Sequence, residues 1–401
     1  MRFSFDAIDI FSGCGGVSCG LTLAGFKVKA AVEIEDAAVD TYLAYPPLSK
    51  VNVLRGTEGG DICNLSGEDI LAASGIGKDD IYLFAGCPPC QNFSRQNPNN
   101  EKKSPEERKK LLFEFLRIIE EIEPPFLLME NVPGIKSDST RKKKEDEKVV
   151  SNKDILNEFL GRLKLKYHVV ENILNSADYG VPQIRKRFVL HAVRKDIYAE
   201  LQADGFEFGL PKPTHSCKEE EGLFPWKTVR EAIGDLPPIK AGEVYEDPNG
   251  IIHNHKCANL DDINIGRIRA IRANGGSRTG LPDNLVLECH KKKDKDGKVF
   301  DGHKDVYGIM DADKPSPTMT GGCLCYSKGR YGHYAQDRAI SVREAARLQT
   351  FPDDFIFSDS LTAAALQIGN AVPIDLVKAS AITLKNAMYH IKAKRSKSKN
   401  G

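Results

Sequence analysis

The sequence predicts an α/β protein: a mostly parallel sheet covered by helices on both faces, joined to a second, smaller and irregular domain. Three observations lead there. Short apolar runs alternate with segments of helical period over residues 1–195. Those runs end in glycine, cysteine or carboxylate clusters. The alternation then dissolves into a stretch, 196–335, rich in Gly, Pro, Asp, Lys and His. Strand and helix in alternation imply crossovers that lay helices over a parallel sheet. In such sheets ligands sit beyond the carboxyl ends of the strands.

Ala7 to Phe11 reads as the first strand, running into Ser12-Gly13-Cys14-Gly15-Gly16 and a helix through Leu21 and Leu23. Backbone N–H groups at such a helix start suit an anion, a carboxylate or a phosphate. Ser18 stands where the third glycine of GxGxxG would be, which argues against a dinucleotide. Val28 to Ile34 is the second strand, and Glu33 closes it at the place from which an acid holds ribose hydroxyls. A tight turn with an exposed acid is the plainer reading of the same residues. Ala37 to Tyr42 is the next helix, and Ile81 to Ala85 a buried strand ending at Gly86-Cys87-Pro88-Pro89-Cys90. Leu111, Leu112, Phe115, Ile118, Ile119 and Ile122 recur at helical spacing, so 105–123 is an amphipathic helix. Phe126 to Met129 is a strand ending at Glu130-Asn131, and partial burial there would raise the Glu130 pKa enough to make it a proton donor. Gln183-Ile184-Arg185-Lys186-Arg187 leads into the apolar strand 188–193, and alternation puts Arg185 and Arg187 on one face, suited to an oxygen-rich ligand. Helical character returns at 341–349 and 373–392, and the basic tail 393–401 is expected to be disordered.

Composition narrows the class. The chain has 401 residues, 41% of them hydrophobic, enough for one large domain and a smaller one. No apolar run reaches the ~18 residues of a membrane span, and the N-terminus lacks the order of a secretory signal. An intracellular, cytoplasmic protein is expected. The net charge of +1 decides nothing about nucleic acid, because distribution matters more than the sum. Basic runs occur at Arg141–Lys144, Lys291–Lys293 and Lys392–Lys399, where solvated loops are the alternative to a nucleic-acid surface. The ten cysteines are read as thiols rather than a disulfide framework.

Cys87-Pro88-Pro89-Cys90 admits a redox pair, half of a zinc site with Cys323 and Cys325, or a single nucleophile at a strand end beside the cofactor loop. Two central prolines and the absence of a matching CxxC argue against zinc, and no metal is expected.

Taken in order, Asp9-Ile-Phe-Ser-Gly-Cys-Gly-Gly16, Pro89-Cys90-Gln91, Glu130-Asn131-Val132, Gln183-Ile-Arg185-Lys-Arg187, Arg343-Glu-Ala-Ala-Arg-Leu-Gln349 and Gly369-Asn370-Ala-Val-Pro373 resemble the DNA cytosine-5 methyltransferase family of bacterial restriction–modification type. The resemblance covers 7–195 and 340–390. It implies a Rossmann-like, S-adenosylmethionine-dependent methyltransferase domain (1–195), a target-recognition domain (196–335), a C-terminal part returning to the catalytic domain (336–392) and the tail. Phe11, Gly13, Gly15 and Gly16 would cradle the methionine end of the cofactor, Glu33 would bind its ribose and Ile34 would flank its adenine. Asp61 and Ile62 would contact the adenine, and Asn370 would line the methionine side. Val17 departs from the bulkier residue of many relatives, and 136–150 is a basic insertion without an assigned role.

By the same resemblance Cys90 attacks carbon 6 of a cytosine flipped out of duplex DNA. Glu130 would bond ring nitrogen 3, Arg187 the oxygen at position 2, and Arg185 would support the pocket or a phosphate. Pro89, Gln91, Ser94, Asn131 and Gln183 would line the substrate, with Gln91 to Lys103 as a closing loop. Arg267, Arg269, Arg272, Asn274 and Arg278 are candidate base or phosphate contacts, and Thr318 and Thr320 candidate phosphate contacts. A monomer at the bacterial nucleoid, with a cognate restriction endonuclease but no stable complex, completes the expectation. The rival readings are a tRNA cytosine-5 methyltransferase, whose Cys-Phe-Thr signature is absent here, a non-catalytic cofactor-binding protein, and a thiol redox protein using Cys87 and Cys90.

Overall fold

The computed structural model describes residues 3–89, 105–138, 150–276, 278, 281–288, 291 and 305–398. The chain divides into two compact units. The first comprises Met1–Tyr179, Lys186–Pro213 and Ile374–Gly401, the second Gly180–Arg185 and Thr214–Pro373.

The first unit is built on β1 (Asp6–Ile10), α1 (Gly16–Leu23), β2 (Lys27–Glu33), α2 (Asp36–Ala44), β3 (Asn52–Arg55), α3 (Gly56–Gly59), α4 (Gly67–Ser74), β4 (Tyr82–Gly86), α5 (Pro105–Ile122), β5 (Phe126–Asn131), α6 (Asn152–Lys166), β6 (Tyr167–Asn175), β7 (Lys186–Arg194) and α7 (Lys195–Ala203). Its seven strands lie in the order β3-β2-β1-β4-β5-β7-β6. The first five are parallel, and β7 runs antiparallel to both β5 and β6. The expected mixed α/β sheet is therefore present, with one reversed strand inside it.

Alternation along β1 sorts the two faces. Ile8 and Ile10 join Phe84, Phe115, Leu127, Phe159 and Phe188 in one apolar core, where the Phe84 and Phe115 rings stack at 5.7 Å. Ala7 and Asp9 face the other side, towards α1 and the chain's last helix, α12 (Ile374–Ser398). A Cβ on Gly20 would meet the Val377 side chain at 2.7 Å, so α1 and α12 approach at a distance that only glycine permits.

Of the tail expected to be disordered, residues 393–398 are instead the end of this helix, and 399–401 lie outside the described residues. Lys385 donates to the Ala24 carbonyl and Lys392 to that of Ser4, both at 2.6 Å, while the two ammonium groups lie over the Phe5 ring. Further along, Lys394 pairs with Asp204, the C-cap of α7, and Arg395 with Glu200 within it. The return to the first unit also begins at Ile374, not at the expected 336.

The second unit contains α8 (Val229–Ile233), α9 (Asp262–Ala273), α10 (Val342–Leu348), α11 (Leu361–Asn370) and two pairs of two-residue strands. With so little ladder, polar contacts organise it. Arg338 and Glu344, both buried, form a two-pronged pair at 2.7 Å, and the Glu344 carboxylate also accepts from the Ser341 amide in a capping box that starts α10.

Buried histidines in both units set a pH response, and His255 in the second is also lowered by burial. Burial pushes His191, on β7, and His333, beside Glu344, down to about 4. In the unfolded chain both would titrate near 6.5, so between pH 6.5 and 4 the unfolded state binds more protons and stability falls as pH is lowered. Each group contributes up to about 3 kcal/mol to that loss. The thermal midpoint should therefore drop across this window. His191→Asn keeps a donor for the Gly209 carbonyl but has no proton to gain, and should show a shallower slope. Equal slopes would show that the loss arises elsewhere.

Candidate active site

The glycine loop, Glu33 and Glu130 lie at the carboxyl ends of the parallel strands β1, β2 and β5. β1 runs into Phe11, whose φ of 59° is in the left-handed region, a strain of about 1–3 kcal/mol that persists where the surroundings over-determine it. Gly15, with φ 96°, is the N-cap of α1 and has no side chain to cap with, and the first turn carries no acidic residue. That start is left suited to a ligand's carboxylate. Glu33, at the end of β2, accepts from the Gly13 amide at 2.8 Å and from the Glu35 amide at 2.9 Å. Burial raises its pKa, and those two amides oppose the rise. Ile34 beside it is 41% exposed, an apolar surface next to the acid. Asp61 turns its carboxylate to the Cys63 amide.

Ile62 differs from expectation. Its side chain is buried in the core, and its carbonyl accepts from Arg117, so only its backbone remains to meet a ligand. Val17 is buried too.

Below the loop lies a group that sequence reading missed. Tyr42 donates to the Ser18 hydroxyl at 2.8 Å, and Ser18 donates to Asp9 at 2.6 Å. All three are fully buried, and burial pushes Asp9 up to about 7. No sequence signal marked Tyr42, because a tyrosine in a helical apolar run reads as core.

The second cluster forms where β4 and β5 end. Glu130, the penultimate residue of β5, meets Arg187 with N–O 2.6 Å, both side chains nearly buried. The reversal of β7 explains this: it starts where β5 finishes, in register Asn131 with Phe188, so its second residue lands beside Glu130. Asn131 is completely buried. Its amide donates to the Pro88 carbonyl at 3.0 Å, and its own carbonyl accepts from Val132. The expected substrate contact by Asn131 is therefore replaced by a hold on the loop that precedes Cys90. Pro89 is half-buried beside it. Cys90, Gln91 and Ser94, the rest of the loop to Lys103, and 139–149 of the basic insertion lie outside the described residues.

Four expected contacts turn out to be structural in the second unit. Gln183 is buried; it donates to Leu348 and Gln349 and accepts from the Met319 amide. Arg185 precedes β7 rather than sharing its face with Arg187, and its guanidinium donates to the carbonyls of Met319, Gly369 and Ala371. A guanidinium engaged in this way is not available for a phosphate, so the catalytic role expected of Arg185 gives way to a structural one. Thr318 donates to the Ile184 carbonyl, and Thr320 bonds the Tyr331 hydroxyl. Asn370 ends α11 and is exposed.

The α9 arginines are likewise spent within the unit. Arg267 donates to Leu285 and Asn264, while Arg269 and Arg272 share Asp337. Arg278 is half-buried. Cys323 is buried and Cys325 exposed, and the described cysteines are free thiols.

A cavity of about 430 Å³ in the first unit, lined by Lys164, His168, Lys195 and Tyr198 among others, lies where β6 begins and β7 ends. That is the end of the sheet opposite the motifs. Among the described residues, no helix is long and apolar enough to cross a membrane.

Comparison with known proteins accords with this geometry. The family model for C-5 cytosine-specific DNA methylases matches residues 5–386. The Type II methylase M.HgiDII of Herpetosiphon aurantiacus is 34% identical over 384 residues, 94% of each chain. The Type II methyltransferase M1.HphI of Haemophilus parahaemolyticus is 33% identical, covering 94% of this chain and 86% of its own. Among solved structures, a prophage-encoded E. coli protein described as a DNA modification methyltransferase superposes with TM-score 0.61 at 25% identity, covering 96% of this chain and 100% of its own. The S. pombe Dnmt2 methyltransferase shares the fold, with TM-score 0.52 at 18% identity over 96% of this chain and 99% of its own. A family match across nearly the whole length, on a sheet whose strand ends gather the glycine loop, Glu33, Glu130 and Arg187, leads to one assignment: the chain belongs to the C-5 cytosine-specific DNA methylase family and is a DNA cytosine-5 methyltransferase.

Proposed function

We propose that the chain methylates carbon 5 of a cytosine flipped out of a specific duplex sequence, with S-adenosylmethionine as donor and Cys90 as nucleophile. The observation that carries this is the Glu130–Arg187 pair, 2.6 Å apart at the end of β5, one strand away from the loop that holds Cys90. A carboxyl and a guanidinium side by side present complementary groups to ring nitrogen 3 and the oxygen at position 2 of a cytosine.

The glycine loop fits the donor by its chemistry. The uncapped start of α1 suits a carboxylate, Glu33 keeps acceptor capacity for hydroxyls beyond its two amide partners, and Ile34 offers an apolar face to a base. When bound, S-adenosylmethionine supplies an electrophilic methyl group.

The protein's part is to make carbon 5 nucleophilic. The Cys90 thiolate adds to carbon 6, the carbon 5–carbon 6 double bond opens, and the electron pair is carried towards carbon 5. Glu130, hydrogen-bonded to nitrogen 3, and Arg187, donating to the oxygen at position 2, stabilise the charge that develops in the ring. Once carbon 5 is methylated, loss of its proton re-forms the double bond as the sulfur–carbon bond breaks and the Cys90 thiolate leaves. A stacked base is out of reach of this chemistry, which is why extrusion is part of the reading. The Type II names of the relatives extend it to a modification enzyme with a cognate endonuclease. A monomer acting at the bacterial nucleoid completes the reading.

Two tests bear on the chemistry. Bisulfite sequencing of DNA from a host expressing the protein identifies the target. A duplex carrying 5-fluorocytosine at that site should then form a covalent adduct with the wild type and with Cys87→Ser, but none with Cys90→Ser. Loss of the adduct in both variants would point to a thiol pair, and its absence in the wild type would remove the proposal. Separately, Arg187→Ala and Glu130→Gln should each lower kcat about 10²–10³-fold while leaving the calorimetric Kd for S-adenosylmethionine unchanged. Wild-type kcat in either variant would exclude that residue from the ring contacts.

A further inference from the structure

We propose that Asp9, Ser18 and Tyr42 are positioning residues that hold the glycine loop and the first turn of α1 ready for the cofactor. This rests on the reading that the loop receives S-adenosylmethionine. The hydrogen bonds run in one direction: the Tyr42 hydroxyl donates to the Ser18 oxygen at 2.8 Å, and the Ser18 hydroxyl donates to an Asp9 carboxyl oxygen at 2.6 Å. The chain joins three elements, since Asp9 is in β1, Ser18 in the first turn of α1 and Tyr42 in α2.

The geometry shows why the loop needs such a hold. A helix is ordinarily fixed at its start by an N-cap side chain. Here the N-cap is Gly15, which has none. Asp9 does that work from the preceding strand, since its carboxyl accepts from the hydroxyl of Ser18 in the first turn of α1. Tyr42 acts twice. Its hydroxyl ends the relay, and its ring lies so close under the loop that a Cβ on Gly15 would meet it at 2.9 Å. Gly15 has φ 96°, a conformation glycine adopts freely, so the loop owes its shape to what packs against it. Tyr42 supplies that floor. It also belongs to the helix that follows Glu33, which connects the ribose-side acid to the first turn of α1.

Burying three polar side chains without exposure costs free energy unless they satisfy one another. Apolar residues of similar size would join α1 to the sheet at lower cost. The second Asp9 oxygen is buried and has no hydrogen-bond partner among the described residues. A polar chain retained at that cost is explained by the precision it imposes on the amides above it, which must point at one place before a ligand arrives.

The full-length protein provides the test, with S-adenosylmethionine and S-adenosylhomocysteine as calorimetric probes. Tyr42→Phe and Ser18→Ala should raise Kd for both probes about ten-fold and raise KM for S-adenosylmethionine in parallel, while kcat at saturating cofactor stays within about two-fold. Asp9→Asn, which keeps an acceptor for Ser18, should bind more tightly than Asp9→Ala. Tyr167→Phe is the control: it deletes another buried tyrosine hydroxyl in the same unit, one that donates to Pro124 at 2.9 Å. It should leave the cofactor Kd unchanged. Hydrogen exchange of the ligand-free protein adds a readout that needs no cofactor, since amides from Gly13 to Cys19 should exchange faster in Tyr42→Phe and not in Tyr167→Phe. Equal Kd values across wild type, Tyr42→Phe and Ser18→Ala would overturn the relay while leaving the cofactor reading intact. A wild type that binds neither probe would overturn the cofactor reading and the relay with it.

Discussion

Both units depend on buried guanidinium groups met by oxygen. Arginine does not shed its proton in a protein, so a buried arginine must find acceptors in place or cost several kcal/mol. In the first unit Arg187 meets the Glu130 carboxylate. In the second, Arg185 and Arg343 each donate to three backbone carbonyls, and Arg338 pairs with Glu344. These three are the largest fully buried side chains of the protein's described part. Burial is severe enough to pull Arg343 down to about 10. Carbonyl acceptors of this kind are supplied by irregular backbone, whose C=O groups are not consumed by a ladder. The second unit, poor in sheet, is therefore suited to being organised by arginine.

The same constraint produces different outcomes in the two units. Arg187 sits at the start of an antiparallel strand and meets a single carboxylate at the open end of the sheet. A ligand with matching donors and acceptors can take over those contacts without leaving a charge unpaired. Arg185, two residues earlier, is enclosed by carbonyls, and no ligand could replace them without dismantling the turn that carries them. Two arginines that look alike in sequence thus separate into one suited to chemistry and one suited to architecture. The reversal of β7 makes the difference, because a parallel strand in that place would carry Arg187 to the far end of the sheet.

Much of the first unit was legible because central strands buried on both faces read as continuous apolar runs, as Tyr82–Gly86 and Phe126–Asn131 do. The strands that escaped notice, β3 and β6, are the two edges of the sheet. Their half-exposed sequences, such as Tyr-His-Val-Val-Glu-Asn-Ile-Leu-Asn, mix polar residues into the pattern and blur the period. Glu33, Glu130 and Arg187 were conspicuous because unusual polar residues at strand ends stand out, although their roles rested on the family resemblance. Tyr42 and Ser18 were not, since nothing in a local window says that a tyrosine and a serine 24 residues apart share a hydrogen bond. The end of α12 escaped for a related reason: a run of lysine and arginine reads as solvated until Asp204 and Glu200 are seen opposite it.

The second unit shows what an ordered set of motifs reports. Gln183 bonds Gln349, Gln349 donates to Ile368, and Arg185 donates to Gly369. Three of the six motifs, far apart in the chain, thus converge on one another, and a Cβ on Gly369 would collide with the backbone of Thr320. A cluster this dense tolerates little substitution, because each change leaves a buried donor or acceptor without its partner at about 1–3 kcal/mol. Packing of this kind holds residue types in place as firmly as catalysis does. Membership of a motif therefore cannot by itself assign a residue to the reaction. The distinction lies in where its polar atoms point: those of Gln183 and Arg185 are spent on the frame, while Glu130 and Arg187 meet at the open end of the sheet, where the proposed chemistry needs them.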